Sequence, residues 1–200
     1  MSMRVAVCIS GRGSNLSALL AALPDDGAAV VALVISNRPD AGGLEIARRH
    51  GIATAILRAP SDAAEWLEAL ERHRIALVVL AGYLKLVPPG VVARFRGRIV
   101  NVHPAHLPAL GGAGMYGERV HRAVLASGAT ESGATVHLVD EIYDRGRILA
   151  QERVPVLAGD SADTLAARVL AAEHRLLPAV VLAAAHAGRP VPVPSRMESS

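Results

Sequence analysis

Arg4-Val5-Ala6-Val7-Cys8-Ile9-Ser10-Gly11-Arg12-Gly13-Ser14-Asn15-Leu16 is the stretch on which the reading of the fold turns. Arg4–Ile9 reads as a strand in which Val5–Ile9 are all apolar, the pattern of a strand buried on both faces. Gly11–Asn15 reads as a glycine-rich turn, and Leu16–Leu23 reads as a helix. A strand, a tight turn and a helix in that order open a parallel α/β sheet. Working outward, Val30–Ser36, Ala53–Leu57 and Ala76–Ala81 are further strands. Between them Gly42–His50 and Ser61–His73 carry helical spacing, the second with Ser61 as expected N-cap and Trp66, Leu67 and Leu70 on one face.

The second half is less regular. Val91–Phe95 predicts a short helix, Arg98–Val102 a strand and Glu118–Ser127 a helix, with a glycine-rich loop over Leu110–Gly117. Gly133–Val139 and Ile148–Val156 predict an antiparallel pair turning near Asp144–Gly146. Ser161–Ala187 is a long helical pattern in which Pro178 is expected to cause an interruption. The whole predicts one α/β domain over residues 1–188, Rossmann-like, with a mostly parallel sheet, an antiparallel C-terminal part and helices on both faces. Residues 189–200, with three prolines, read as a flexible tail.

Composition narrows the function. Hydrophobic residues make up 52% of the 200-residue chain but aromatics only 2%, so the core is aliphatic and base-stacking surfaces are unexpected. The net charge of +3 is carried by scattered arginines, with Lys85 the only lysine. Such a balance suits small anionic substrates and gives no reason to expect nucleic acid. Cys8 is the single cysteine and sits in the first apolar run, which excludes an internal disulfide and fits a reducing, cytoplasmic setting. No apolar stretch is long enough to span a membrane.

Gly11–Asn15 lies where backbone N–H groups at a helix start face an anion. Leu16 stands where the dinucleotide fingerprint needs a third glycine, and Ser36-Asn37 stands where it needs an acid. The loop therefore suits a monophosphate rather than NAD; a tight turn capped by Ser14 or Asn15 is the plainer alternative. Asn101 and His103, two apart at a strand end, project to one side before Pro104 stops the strand. Asn101 offers a neutral donor for a developing oxyanion, and His103 can move a proton near neutral pH. A carboxylate should set the imidazole's charge, with Asp144, Asp140 and Glu141 as candidates. His103 and His106 also have metal-ligand spacing, with His121 and His137 downstream, but no cysteine cluster supports zinc and no metal is expected.

Ile9–Leu16, Ala81–Leu86, Asn101–Pro108, Gly133–His137 and Asp144–Gly146, in that order, closely resemble the motifs of the phosphoribosylglycinamide formyltransferases. The resemblance runs over about residues 3 to 187 and includes Glu173-His174. It implies the formyltransferase fold and transfer of a formyl group from 10-formyltetrahydrofolate, as co-substrate, to the amine of glycinamide ribonucleotide. It implies that Asn101 holds the formyl oxygen. It further implies that His103, kept protonated by Asp144, stabilises the oxyanion and donates a proton to the leaving nitrogen. Gly13, Ser14 and Asn15 would bind the phosphate, and Glu173 the ribose or amine end. Leu84, Lys85, Leu86 and Val87, with Asp140, Glu141, Ile142, Tyr143 and Asp144, would line the folate pocket. The implied partners are these two small molecules, with the chain a monomer or homodimer.

The sequence departs from the family pattern at Ala105-His106, at the glycine-rich Gly111–Gly117, and at Ala63-Ala64, where an arginine often reaches the cofactor. Lys85 replaces an arginine of some relatives, which keeps the charge but loses the planar fork. Two sister activities are disfavoured by the expectation of a single domain. A tRNA formyltransferase would need an added C-terminal domain, and a formyltetrahydrofolate deformylase an added N-terminal one. A non-catalytic nucleotide-binding module would explain the first loop but not Asn101, His103 and Asp144.

Overall fold

The computed structural model describes residues 2–23, 27–109, 111–112, 114–140 and 144–194. One seven-stranded sheet runs through the molecule in the order β3-β2-β1-β4-β5-β6-β7. The strands are β1 (Met3–Ile9), β2 (Ala29–Ser36), β3 (Ala53–Ile56), β4 (Leu77–Leu80), β5 (Ile99–His103), β6 (Glu131–Leu138) and β7 (Ile148–Pro155). β3, β2, β1, β4 and β5 run parallel to one another, whereas β6 pairs antiparallel with both β5 and β7. The helices are α1 (Ser14–Ala22), α2 (Gly42–Arg49), α3 (Ala63–Arg72), α4 (Pro89–Arg94), α5 (Glu118–Ala126) and α6 (Ala162–Ala187). The expected α/β sheet with an antiparallel end is thus the observed one.

β1 shows why its sequence is uniformly apolar. Val5, Val7 and Ile9 enter the core layer shared with α1, α2, α5 and α6. Ala6 and Cys8 enter the opposite layer, with Trp66 and Leu70 of α3 and Val91 and Val92 of α4. A central parallel strand covered on both faces has no position left for a polar side chain. The chain reverses direction in sheet order between β1 and β4, so the carboxyl ends of these strands open a crevice.

Three local expectations change. Helix α3 is capped by Asp62, whose side chain accepts from Ala64 N–H at 2.8 Å, and not by Ser61. Helix α6 passes through Pro178 without a break. An interior proline costs about 3 kcal/mol or more, but Leu165, Val169, Leu177, Val180 and Val181 are all fully buried along this helix. Each such side chain contributes about 1.5–3 kcal/mol, so packing outweighs the lost hydrogen bond. A reciprocal Ser161–Thr164 cap at one end and left-handed Gly188 at the other set its limits. Finally, residues 189–194 return to the sheet, with Pro190 buried and Val193 N–H donating to Leu149 O at 2.8 Å. Residues 195–200 of the expected tail lie outside the described residues.

The β6–β7 ladder depends on a missing side chain. A Cβ on Gly133 would stand 2.3 Å from Glu152 O, with backbone and no flexible group in the way. Gly133→Ala must therefore push β7 off β6, an overpacking change that costs about 1–3 kcal/mol. Urea unfolding should show that loss as a lower midpoint with an unchanged slope; an unaltered midpoint would show that the strands can part without cost.

Candidate active site

One cavity of about 610 Å³ lies across the carboxyl ends of β1, β4 and β5. Its walls include Gly13, Ser14, Asn15 and Glu173 from one helix layer, Leu84–Val87 and Val92 from the other, and Asn101, His103, His137 and Asp144 from the sheet end. Of the residues expected at the site, all those described line this one cavity, Asp140 and Lys85 included; Glu141, Ile142 and Tyr143 lie outside the described residues.

The glycine loop is shaped by a backbone contact. Gly13 has φ +82°, and a Cβ on it would stand 2.6 Å from Gly43 Cα. Gly11 O accepts from Gly43 N–H at 3.1 Å, so the loop is fastened to the start of α2. Gly13, not Ser14 or Asn15, is the N-cap of α1, and no side chain caps the helix. Its first-turn N–H groups therefore lack the internal partner that a side-chain cap supplies and are left for an anion. Asn15 instead turns inward, its Nδ2 donating to Glu173 Oε2 of α6 at 2.6 Å.

At the sheet end, Asp144 sits with φ +53° and its carboxylate gathers three elements. Gly112 N–H donates to Oδ2 at 2.8 Å, His103 Nδ1 lies 3.8 Å from Oδ2, and His137 Nε2 lies 3.4 Å from Oδ1. The His103 pair is an ionic contact at this distance and not a hydrogen bond. Burial would raise the Asp144 pKa, but His137, the Gly112 N–H and the charge of His103 together outweigh it and hold the carboxyl below its usual range. Of the carboxylates read as candidates for His103, Asp144 lies 3.8 Å from its Nδ1, and Glu141 lies outside the described residues.

Histidines 137 and 121 also line the cavity; the sequence placed them only in the metal reading that it set aside. His137 is buried, and its Nδ1 donates to Leu138 O at 2.8 Å, since a carbonyl can only accept. Its Nε2 stands between Asn101 Nδ2 at 3.1 Å, from which an unprotonated nitrogen accepts and orients the amide, and Asp144 Oδ1 at 3.4 Å, to which a protonated nitrogen donates. His121 of α5 is buried too. Desolvation first, then the charge of His103, lower its pKa, and its Nδ1 has no hydrogen-bond partner among the described residues. His137 lies two residues beyond Thr135 on β6, so the alternation of a strand was the signal that could have placed it. No comparable signal marked His121. His106, by contrast, is not part of the cavity wall. Among the described residues no group of three His, Cys, Asp or Glu side chains could hold a metal ion.

Ser10 is a further residue that sequence reasoning missed. Its Oγ donates to Asn37 Oδ1 at 2.6 Å and accepts from Leu84 N–H at 2.9 Å. The hydroxyl thereby ties the ends of β1 and β2 to the segment after β4, where Leu84 and Leu86 are exposed apolar side chains.

A glycine-rich loop, an Asn–His–Asp group and an apolar wall share one crevice, and sequence comparison shows the family to which the chain belongs. The family model described as "Formyl transferase" matches residues 3–181, and the chain belongs to that family. Its relatives include the phosphoribosylglycinamide formyltransferase of Escherichia coli (strain K12), 40% identical over 188 residues that are 90% of this chain and 85% of the relative. The chloroplastic phosphoribosylglycinamide formyltransferase of Arabidopsis thaliana is 46% identical over 89% of this chain; the chain spans 64% of that relative's length. The crystal structure of phosphoribosylglycinamide formyltransferase from Anaplasma phagocytophilum superposes with a TM-score of 0.86 at 38% identity, covering 94% of this chain and 89% of the other.

Glu173 gives this site a pH signature. Burial pushes its pKa up from the ordinary 4.5 to about 7, against the opposing hydrogen bond from Asn15. The folded protein thus holds a proton that the unfolded chain loses above 4.5. Stability from this group is fully present below that value and disappears as pH rises through about 7. Glu173→Gln cannot titrate, so its melting temperature should fall less than the wild type's across this window and exceed it at pH 8. Parallel melting curves across the range would contradict the buried, protonated carboxyl.

Proposed function

We propose that the chain transfers the formyl group of 10-formyltetrahydrofolate to the amine of 5′-phosphoribosylglycinamide, yielding the N-formyl product and tetrahydrofolate for purine synthesis. The observation that carries this reading is the single cavity. It joins an uncapped helix N-terminus, suited to the substrate phosphate, to Asn101, His103 and Asp144 and to an apolar wall suited to a pterin. The names of the relatives point the same way.

In this reading Gly13, Ser14 and Asn15 hold the phosphate, and Glu173 meets the sugar. Leu84, Lys85, Leu86 and Val87, with Asp140 and the loop through Glu141, Ile142, Tyr143 and Asp144, receive the folate. The substrate amine attacks the formyl carbon, and the carbonyl electrons move onto oxygen. Asn101 Nδ2, oriented by His137, and the protonated ring of His103 stabilise that oxyanion. When the oxyanion collapses, the bond to the folate nitrogen breaks and His103 donates its proton there. The proton shed by the attacking amine returns to the His103–Asp144 pair, which ends the cycle as it began. The Asp144 carboxylate keeps the imidazolium favourable at the buried end of the sheet. The single buried Cys8 suits a reducing compartment such as the cytoplasm.

Purified protein mixed with both substrates should consume the formyl folate, followed by absorbance. Absence of turnover by folded protein would refute the activity. Asp144→Asn should lower kcat by about 100-fold or more, the scale of lost acid–base catalysis. Its affinity for the ribonucleotide, by calorimetry, should stay close to wild type. Equal losses in both would make Asp144 a structural residue instead.

A further inference from the structure

We propose that Arg12 is the residue by which this chain distinguishes a phosphorylated ribosyl substrate from its unphosphorylated counterpart. Its guanidinium would close over a phosphate monoester held at the N-terminus of α1. The inference rests on the function proposed above and names the residue that sets selectivity at one end of that site.

The backbone on either side of Arg12 lies against the start of α2. Gly11 is bound through its carbonyl to Gly43 N–H, and a Cβ on Gly42 would lie 3.4 Å from Arg12 O and 3.5 Å from Arg12 Cα. The loop is thus pressed against α2 on both sides of Arg12. The side chain is exposed at the cavity wall, and no hydrogen bond or ion pair engages it among the described residues. Other arginines of the chain are committed. Arg38 pairs with Asp40, Arg72 with Glu68, Arg122 with Glu118 and Arg168 with Asp160.

Charge makes a cation necessary at this end. A phosphate monoester carries close to two negative charges at neutral pH. Glu118 of α5 and Asp163 of α6 also line the cavity. The permanently charged cations on its wall are Arg12 and Lys85, and Lys85 follows β4 on the side of α4. The helix dipole supplies only about half a charge. Arg12 is therefore the full positive charge on the phosphate loop, and its planar fork matches two phosphate oxygens at once.

A separate observation says that a ligand belongs here. Asn15 is 7% exposed, yet its Oδ1 is buried in the cavity wall with no donor among the described residues. Its Nδ2 is spent on Glu173. An orphaned buried acceptor beside free helix N–H groups calls for a ligand with both a donor and an anion, such as a sugar hydroxyl next to a phosphate.

Arg12→Ala and Arg12→Lys test this. Arg12 is solvent-exposed and unpaired, so both variants should melt like the wild type in the absence of ligand. Hydrogen bonds to charged groups imply that Arg12→Ala raises KM for 5′-phosphoribosylglycinamide about 10- to 100-fold, with kcat within about 2-fold. The preference in kcat/KM over the unphosphorylated riboside should shrink by the same factor. Arg12→Lys should recover part of the loss, as a point charge without the fork. Inorganic phosphate should raise the melting temperature of the wild type and do so less for Arg12→Ala. An unchanged KM in Arg12→Ala, or equal losses on the phosphorylated and unphosphorylated substrates, overturns the proposal. If the wild type turns over neither substrate, the function reading fails. The phosphate-dependent melting shift still judges Arg12 in that case, and its equality in wild type and Arg12→Ala would reject the site as well.

Discussion

The carboxylate of Asp144 is drawn into the protein between two imidazoles, and the end of the sheet is arranged so that it keeps its charge there. Isolated in a medium of low dielectric, it would take up a proton. A backbone N–H from Gly112 and the rings of His103 and His137 prevent that. Each contact draws in a different element: the glycine-rich loop, the end of β5 and the end of β6. The same close packing demands glycine nearby. A Cβ on Gly111 would stand 2.7 Å from a Leu107 methyl and 3.1 Å from Asp144 Cβ, and one on Gly146 would overlap Leu138 O.

A second layer of hydrogen bonds holds the segment that leaves β5. Thr135 Oγ1 donates to Ala105 O at 2.7 Å and accepts from Leu107 N–H at 3.1 Å. Gln151 Nε2 of β7 reaches both Leu107 O and Thr135 Oγ1. The antiparallel end of the sheet thus braces the backbone directly after His103, in addition to the His137 that β6 places in the cavity wall. Positioned side chains on strands, braced from behind, are the arrangement in which donors need no rearrangement as charge develops.

The two helix layers contribute differently. α1 and α6 meet through Asn15 and Glu173, a pairing of polar groups inside an aliphatic layer. The opposite layer, built on Trp66, Tyr83 and the valines of α4, presents apolar surface to the cavity. Trp66 and Tyr83 meet edge to face at 5.3 Å, which places much of the chain's small aromatic content behind this wall. One crevice therefore has a polar side and an apolar side because the sheet separates two cores of different make-up.

Local pattern in the sequence determined a great deal. The unbroken apolar runs predicted the strands, because a strand covered on both faces admits nothing polar. Gly11–Asn15 after such a run marked the crevice, and Asn101 and His103 were placed on one side by the period of a strand. Those features are carried by residues close in sequence. What the tertiary structure decided involves partners far apart in the chain. It set Asp144 beside His103. It brought in His137, His121 and Ser10, and paired Asn15 with Glu173 across 158 positions. It carried α6 through Pro178, since the energy of a packed face is summed over the helix while the cost of proline is local. Hydrophobic period and turn chemistry are written residue by residue; the charge state of a buried carboxylate depends on which groups the fold sets around it.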